Sequence, residues 1–227
     1  MEPEPELERL RAALLAVPDG PPPDRDRLPD RDWLAEAVRR VGAEPAALGR
    51  LFAAAGRRCG RAPLPGLPDW TADDAARVLL LGALPPAELP GQVEARYREG
   101  DAAEKRAVLR ALPLLPVSDA GVPLLHDAIR TNDTRLVAAA LGRYADRLDQ
   151  AGWRQAVLKC VFTGIPLAVV HRLDERADVE LAVMLAGLAD ERRAAGREMP
   201  ADATALLDRL STPDRSGTPS RSGVEEA

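Results

Sequence analysis

The chain has 227 residues, 46% hydrophobic and 30% charged, with a formal net charge of −5. That is enough apolar material for a core, and the acidic balance does not suggest the basic face of a nucleic-acid binder. Ala, Leu, Arg and Glu dominate, isoleucine occurs only at Ile129 and Ile165, and aromatics make up 3%, so an extensive β-sheet is disfavoured and an all-α fold is predicted.

In chain order, Leu7, Leu10, Leu14 and Val17 keep helical spacing, which predicts an N-terminal helix over residues 1–17. Pro18 ends it, and residues 18–30, PDGPPPDRDRLPD, read as an exposed linker. Residues 31–210 are expected to form the main helical domain. Asp30 is placed to cap a helix to about Val41, and a second helix covers Glu44 to Arg58. Gly60 to Trp70, with prolines at 63, 65 and 68, reads as a loop. Thr71-Ala72-Asp73-Asp74 has a capping-box pattern, with Thr71 accepting from the backbone three residues on. The helix behind it should run to about Ala83. Helices then follow over about 87–99, from Asp101 to Pro113, from Ser118 or Asp119 to Thr131, and through Leu136, Val137, Ala140 and Leu141. Asp149 opens one that Gly164 and Pro166 break, and a short turn leads to His171. Asp178 caps a long helix ending near Gly196, and a last one covers about 202–210. Residues 211–227 have almost nothing to bury and are expected to be a disordered tail. About ten to twelve helices joined by short loops would overfill a four-helix bundle and suit stacked antiparallel pairs, a HEAT-like α/α superhelix.

Absences narrow the chemistry. Ser118 is the one serine within residues 31–210, and there is no G-x-S-x-G, P-loop or G-x-G-x-x-G. Cys59 and Cys160 are far apart and only two histidines occur, so local spacing makes no zinc site. No metal or cofactor is expected. The acidic start at Glu2, Glu4 and Glu6 is the reverse of a secretory n-region, and the longest uncharged run, Cys160 to Val170, is too short to span a bilayer. These features predict a cytoplasmic protein, with peripheral membrane contact left open. The abundance of arginine, alanine, proline and glycine reads as a GC-rich bacterial genome.

The candidate residues are charges within apolar segments. Lys159 lies in VLKCVF, where it reads as an anion-binding pocket lysine or, more plainly, as a lysine snorkelling from an exposed stripe. His171, Asp174 and Arg176 sit between helices, where a site and a simple Asp174–Arg176 turn pair are equally good readings. Glu191 and Arg192 close the long helix. Arginine there suits the helix dipole, whereas Glu191 opposes it and calls for an ion pair.

Residues 153–197 carry a resemblance to the EboA family. The matching positions are Trp153, Gln155, Val157-Leu158-Lys159, Phe162, Gly164, Pro166-Leu167, Leu173-Asp174, Arg176-Ala177, and Glu191-Arg192 through Gly196-Arg197. Looser matches upstream are Ala111 to Pro116, Ile129 to Asn132, and the arginine–glycine–arginine run Arg57 to Arg61. The family pattern has Asn where this chain has Asp178, and Tyr-Ala-His where it has Leu188-Ala189-Asp190.

The resemblance implies a role in metabolite traffic, beside a UbiA-like prenyltransferase and TIM-barrel or phosphatase-like proteins encoded in the same gene cluster. It carries no established catalytic residues. It leaves as binding candidates the matching positions Lys159, Asp174, Arg176, Glu191, Arg192 and Arg197, with His171 added from the loop.

Three functions fit this reading. The first is a non-catalytic binding or scaffold protein for a metabolite, such as a prenylated one, or for a cluster partner. The second is an enzyme acting through a Lys/Arg/carboxylate pocket. The third, weakest, is a HEAT-like nucleic-acid binder.

Overall fold

The most apolar helix of the chain lies at its centre. Residues 72–82 read ADDAARVLLLG, and in the computed structural model Ala72 through Leu81 are all buried, Asp73, Asp74 and Arg77 included. The structure describes residues 3–17 and 29–212. The linker expected over 18–30 falls mostly outside that range, and the tail expected from 211 almost entirely.

Twelve α-helices occur among the described residues. They are α1 (Pro3–Leu15), α2 (Arg31–Ala43), α3 (Leu48–Cys59), α4 (Ala72–Gly82), α5 (Leu89–Glu99), α6 (Ala102–Ala111), α7 (Val122–Arg130), α8 (Thr134–Ala140), α9 (Gln150–Thr163), α10 (Leu173–Arg176), α11 (Val179–Ala194) and α12 (Ala201–Ser211). Short 3₁₀ turns punctuate them. The all-α class expected from composition is the observed one. A helix buried on all sides must be covered on all sides, and α4 is packed by α1, α2, α3, α5 and α6. The chain then continues outward through α6 to α8, α8 to α9, and α9 to α11 and α12. These contacts describe a hub followed by a layer, and they do not establish the repeat superhelix. Leu10 and Leu14 of α1 belong to the same buried core as α4.

Five of these twelve helices start at an aspartate whose side chain caps the first turn: α2, α6, α8, α9 and α11. Asp30 accepts from Trp33 N, Asp149 from Gly152 N and Asp178 from Leu181 N. Asp101 and Glu104 form the reciprocal capping box. Gly164 adopts the left-handed conformation that ends α9, with φ 75°.

Three local expectations are corrected. Residues 60–70 are not a plain loop: β1 (Pro63–Leu64) and β2 (Leu67–Thr71) pair as a small antiparallel hairpin across Pro65-Gly66, with Gly66 at φ 69°. The prolines hid it, because proline is tolerated at an edge or a strand start. Thr71 makes no side-chain cap bond to the helix backbone. Its hydroxyl donates instead to Asp73 Oδ1 at 2.7 Å. Ser118 caps nothing either, and sits at φ 44° at the head of a 3₁₀ turn.

Candidate functional site: an arginine-lined groove on the central helix

Two aspartates open α4, and each is neutralised by different arginines. Asp73 has no exposed surface and receives Arg77 Nη1 at 2.8 Å. Arg77 is only 3% exposed, and its Nε donates to the carbonyl of Phe52 at 3.3 Å. Asp74, also fully buried, takes Arg106 Nη2 at 3.1 Å on Oδ1 and has Arg110 Nη1 3.6 Å from Oδ2. Asp74 Oδ2 lies 3.0 Å from Arg106 Nη2 without hydrogen-bond alignment, and it accepts no bond. Burial pushes the Asp74 carboxyl up from its ordinary value, while the Arg106 bond pulls it back. Burial likewise lowers the Arg110 guanidinium, against the pull of Asp74.

Arg106 and Arg110 stand one helical turn apart, so α6 presents both on one face with Leu109 between them. That face forms one wall of a groove of about 700 Å³. The hairpin supplies Asp69 and Trp70, α8 supplies Arg135, Ala138 and Ala139, and the following 3₁₀ turn supplies Arg143 and Tyr144. The Arg110 guanidinium lies 3.9 Å from the Trp70 ring centroid, and its Nη1 donates to the Asp69 carbonyl at 2.6 Å. Arg143 pairs with Glu6 of α1, and Arg135 with Asp133. The Tyr144 hydroxyl is fixed between the Ser118 carbonyl and the Gly121 N–H. The groove therefore joins four guanidinium groups, two aromatic rings and an apolar floor of Leu109, Pro113, Ala138, Ala139 and Val169. Asp74 sits behind Arg106 and Arg110 and is not part of the lining.

The residues singled out in the sequence lie elsewhere. Lys159 is half-buried and donates to the Thr131 carbonyl at 2.6 Å, tying α9 to the end of α7. Arg176 donates to the carbonyls of Ala145 and Leu148 and to Gln150 Oε1, and stacks 4.7 Å over Trp153. His171 Nε2 is 3.7 Å from Asp146. Asp174 is exposed, paired with Arg209, and lines a separate surface cavity with Asp202 and Leu206. Arg192 donates to the Glu198 carbonyl, while Glu191 and Arg197 are exposed. The structure does not bring these seven side chains to one cavity. The bonds of Lys159 and Arg176 hold chain segments to one another.

A model of the EboA family, described as metabolite traffic protein EboA, matches residues 51–208. The chain belongs to the EboA family. No curated protein and no solved structure gives a significant match. The EboA match begins within α3 and ends in α12, so it takes in α4, the hairpin and every groove residue except Glu6. Among the described residues no group of His, Cys, Asp and Glu could hold a metal ion, and no helix is long and apolar enough to cross a membrane.

No motif in the sequence marks Trp70, Arg106, Arg110, Arg135, Arg143 or Tyr144 as a site residue, and Asp74 stands there only in a capping pattern. One signal for them was present. Asp73, Asp74 and Arg77 interrupt the most apolar helix of the chain, and buried charges require partners. Arginines at i and i+4 on α6 were available to be those partners.

Proposed function

We propose that this EboA-family protein is a non-catalytic metabolite-binding protein, and that its ligand occupies the groove between α6, α8 and the hairpin. The observation that carries the reading is the stacked Trp70–Arg110 pair at the edge of a groove that also presents Arg106, Arg135 and Arg143 over an apolar floor. A concave, partly apolar site with a few fixed polar groups is the usual form of a small-molecule site. The arginines suit an anionic head group and the floor suits an aromatic or prenyl body. The family's role in metabolite traffic fits a carrier of this kind, receiving its ligand from or passing it to proteins such as the prenyltransferase of the same cluster. Asp74, whose carboxyl burial pushes up, does not line the groove but lies buried behind the arginines, which favours binding over catalysis.

The test is equilibrium binding of an isoprenyl diphosphate and of an aromatic carboxylate to the full chain. Trp70→Ala and Arg110→Gln should each weaken binding by about tenfold or more, the worth of one lost stacking or charge-assisted contact. Lys159→Gln should leave affinity unchanged. If neither probe binds, or if both groove variants bind like the wild type, the reading is wrong.

A further inference from the structure

Arg77, the partner of the other aspartate of α4, lines a second cavity, which shares no lining residue with the groove. It measures about 720 Å³ and is lined by Ala53, Gly56, Arg57, Gly60, Arg61, Ala62, Arg77 and Asp101. Arg57, Gly60 and Arg61, from the run that matches the family only loosely, are among its lining residues.

At the back of this cavity stands Arg77. Nη1 is engaged with Asp73 and Nε with the Phe52 carbonyl, whereas Nη2 donates to no group among the described residues. Nη2 points past Gly56. A Cβ built at Gly56 would lie 3.2 Å from Nη2 and 4.0 Å from Asp73 Oδ2. Glycine inside a helix is locally destabilising, and here its missing side chain leaves open the approach to an otherwise buried guanidinium. Two more arginines stand at the mouth. Arg57 has no hydrogen-bond or ion-pair partner among the described residues, and Arg61 has only a distant one, its Nε 3.9 Å from Asp73. The two carboxylates present are already used. Asp73 holds Thr71 and Arg77, and Asp101 holds the first turn of α6. Three guanidiniums against two committed carboxylates leave a positive surplus.

The rest of the lining gives little apolar contact. Ala53, Gly56, Gly60 and Ala62 are small, and no aromatic or long apolar side chain is present. That wall offers nothing to the body of a large metabolite. It suits a compact, multiply charged oxyanion that can take two-pronged bonds from arginine.

We propose that the cavity between α3, the loop that follows it, α4 and the start of α6 is a phosphoryl-binding site, in which Arg57, Arg61 and the free edge of Arg77 hold the oxygens of a phosphate group.

Isothermal titration of the full chain with inorganic phosphate and with glycerol 3-phosphate tests this. Saturable binding of either is expected. Arg57→Gln and Arg61→Gln, both at exposed positions, should each weaken it by about tenfold, as for one charge-assisted bond lost. Gly56→Val should abolish it, and a circular dichroism melt shows whether that variant remains folded. Arg209→Gln, a surface arginine paired with Asp174, should change nothing. Tighter binding of glycerol 3-phosphate would assign the site to a phosphorylated metabolite, and tighter binding of inorganic phosphate to the free ion. No saturable binding at physiological phosphate levels overturns the proposal. So does binding that survives both arginine variants, or that Arg209→Gln weakens equally. Since the two cavities share no residue, failure here leaves the groove reading standing.

Discussion

Replacing Asp73 by alanine should be among the most damaging single changes in this chain. Asp73 and Arg77 form an ion pair with 0% and 3% of their side chains exposed. Removing one partner of such a pair leaves the other charge uncompensated, at a cost of about 3–5 kcal/mol. Arg77 keeps its bond to Phe52 and has one edge on a cavity that water can enter. Both features soften the loss, which places Asp73→Ala near the lower end, at about 3 kcal/mol. For a domain of this size that corresponds to a fall in Tm of roughly 6–12 °C. The double variant Asp73→Ala, Arg77→Met removes both charges and retains much of the arginine's volume. It should be less destabilised than the sum of the two single variants, because the penalty lies in the orphaned charge. Urea unfolding of the four proteins supplies the cycle. A loss below about 1 kcal/mol for Asp73→Ala, or strictly additive single effects, would show that the pair is hydrated and that the reasoning fails.

Asp74 should make stability depend on pH in one direction. Its carboxyl is raised by burial, so its contribution falls as pH rises through the folded value and is most favourable in acid. Asp74→Asn should therefore gain stability relative to wild type between acid and neutral pH, and equal slopes in urea unfolding would refute this. Asp178 works the other way. The Arg154 guanidinium, with bonds from Leu181 N and Gln150, holds its carboxyl well below the usual carboxylate range. Its contribution is present above the ordinary carboxylate pKa and is lost as pH falls through the folded value. Asp178→Ala should cost about 1 kcal/mol from the lost cap alone. Asp178→Asn should keep the cap, and its deficit should vanish in strong acid. The two thiols, Cys59 and Cys160, are buried and pushed up to about 12. They should resist alkylation in the native protein and react freely once it is denatured. Labelling of either thiol at the unfolded rate in native buffer would show that its helix opens.

The helices were legible because their signals are local. Asp30, Asp101, Asp149 and Asp178 each announce a start through a cap that needs only the next three residues, and Gly164 announces an end. The hairpin was not legible, since pairing Pro63 with Thr71 depends on partners across a turn rather than on periodicity. The groove was illegible for a related reason. Trp70, Arg106, Arg135 and Arg143 come from four segments, and nothing local says that they meet. The family signature drew attention to Lys159 and Arg176, the residues that match in sequence. In the fold these donate to backbone carbonyls at the ends of neighbouring segments. A pattern can thus be specific to a family because the architecture depends on it, whatever its part in binding a ligand.

The position of α4 bears on where this chain can be cut. The matched span begins at residue 51, so α1 and α2 fall outside it. Yet α1 rests directly on α4, close enough that a Cβ at Gly82 would lie 3.3 Å from Leu7. Leu10 and Leu14 are 1% and 0% exposed within the shared core. A chain trimmed to residues 51–208 would bare one flank of its most apolar helix to water. The boundaries drawn by kinship and those drawn by solvent do not coincide, because the shared core reaches back into helices that the family match leaves out.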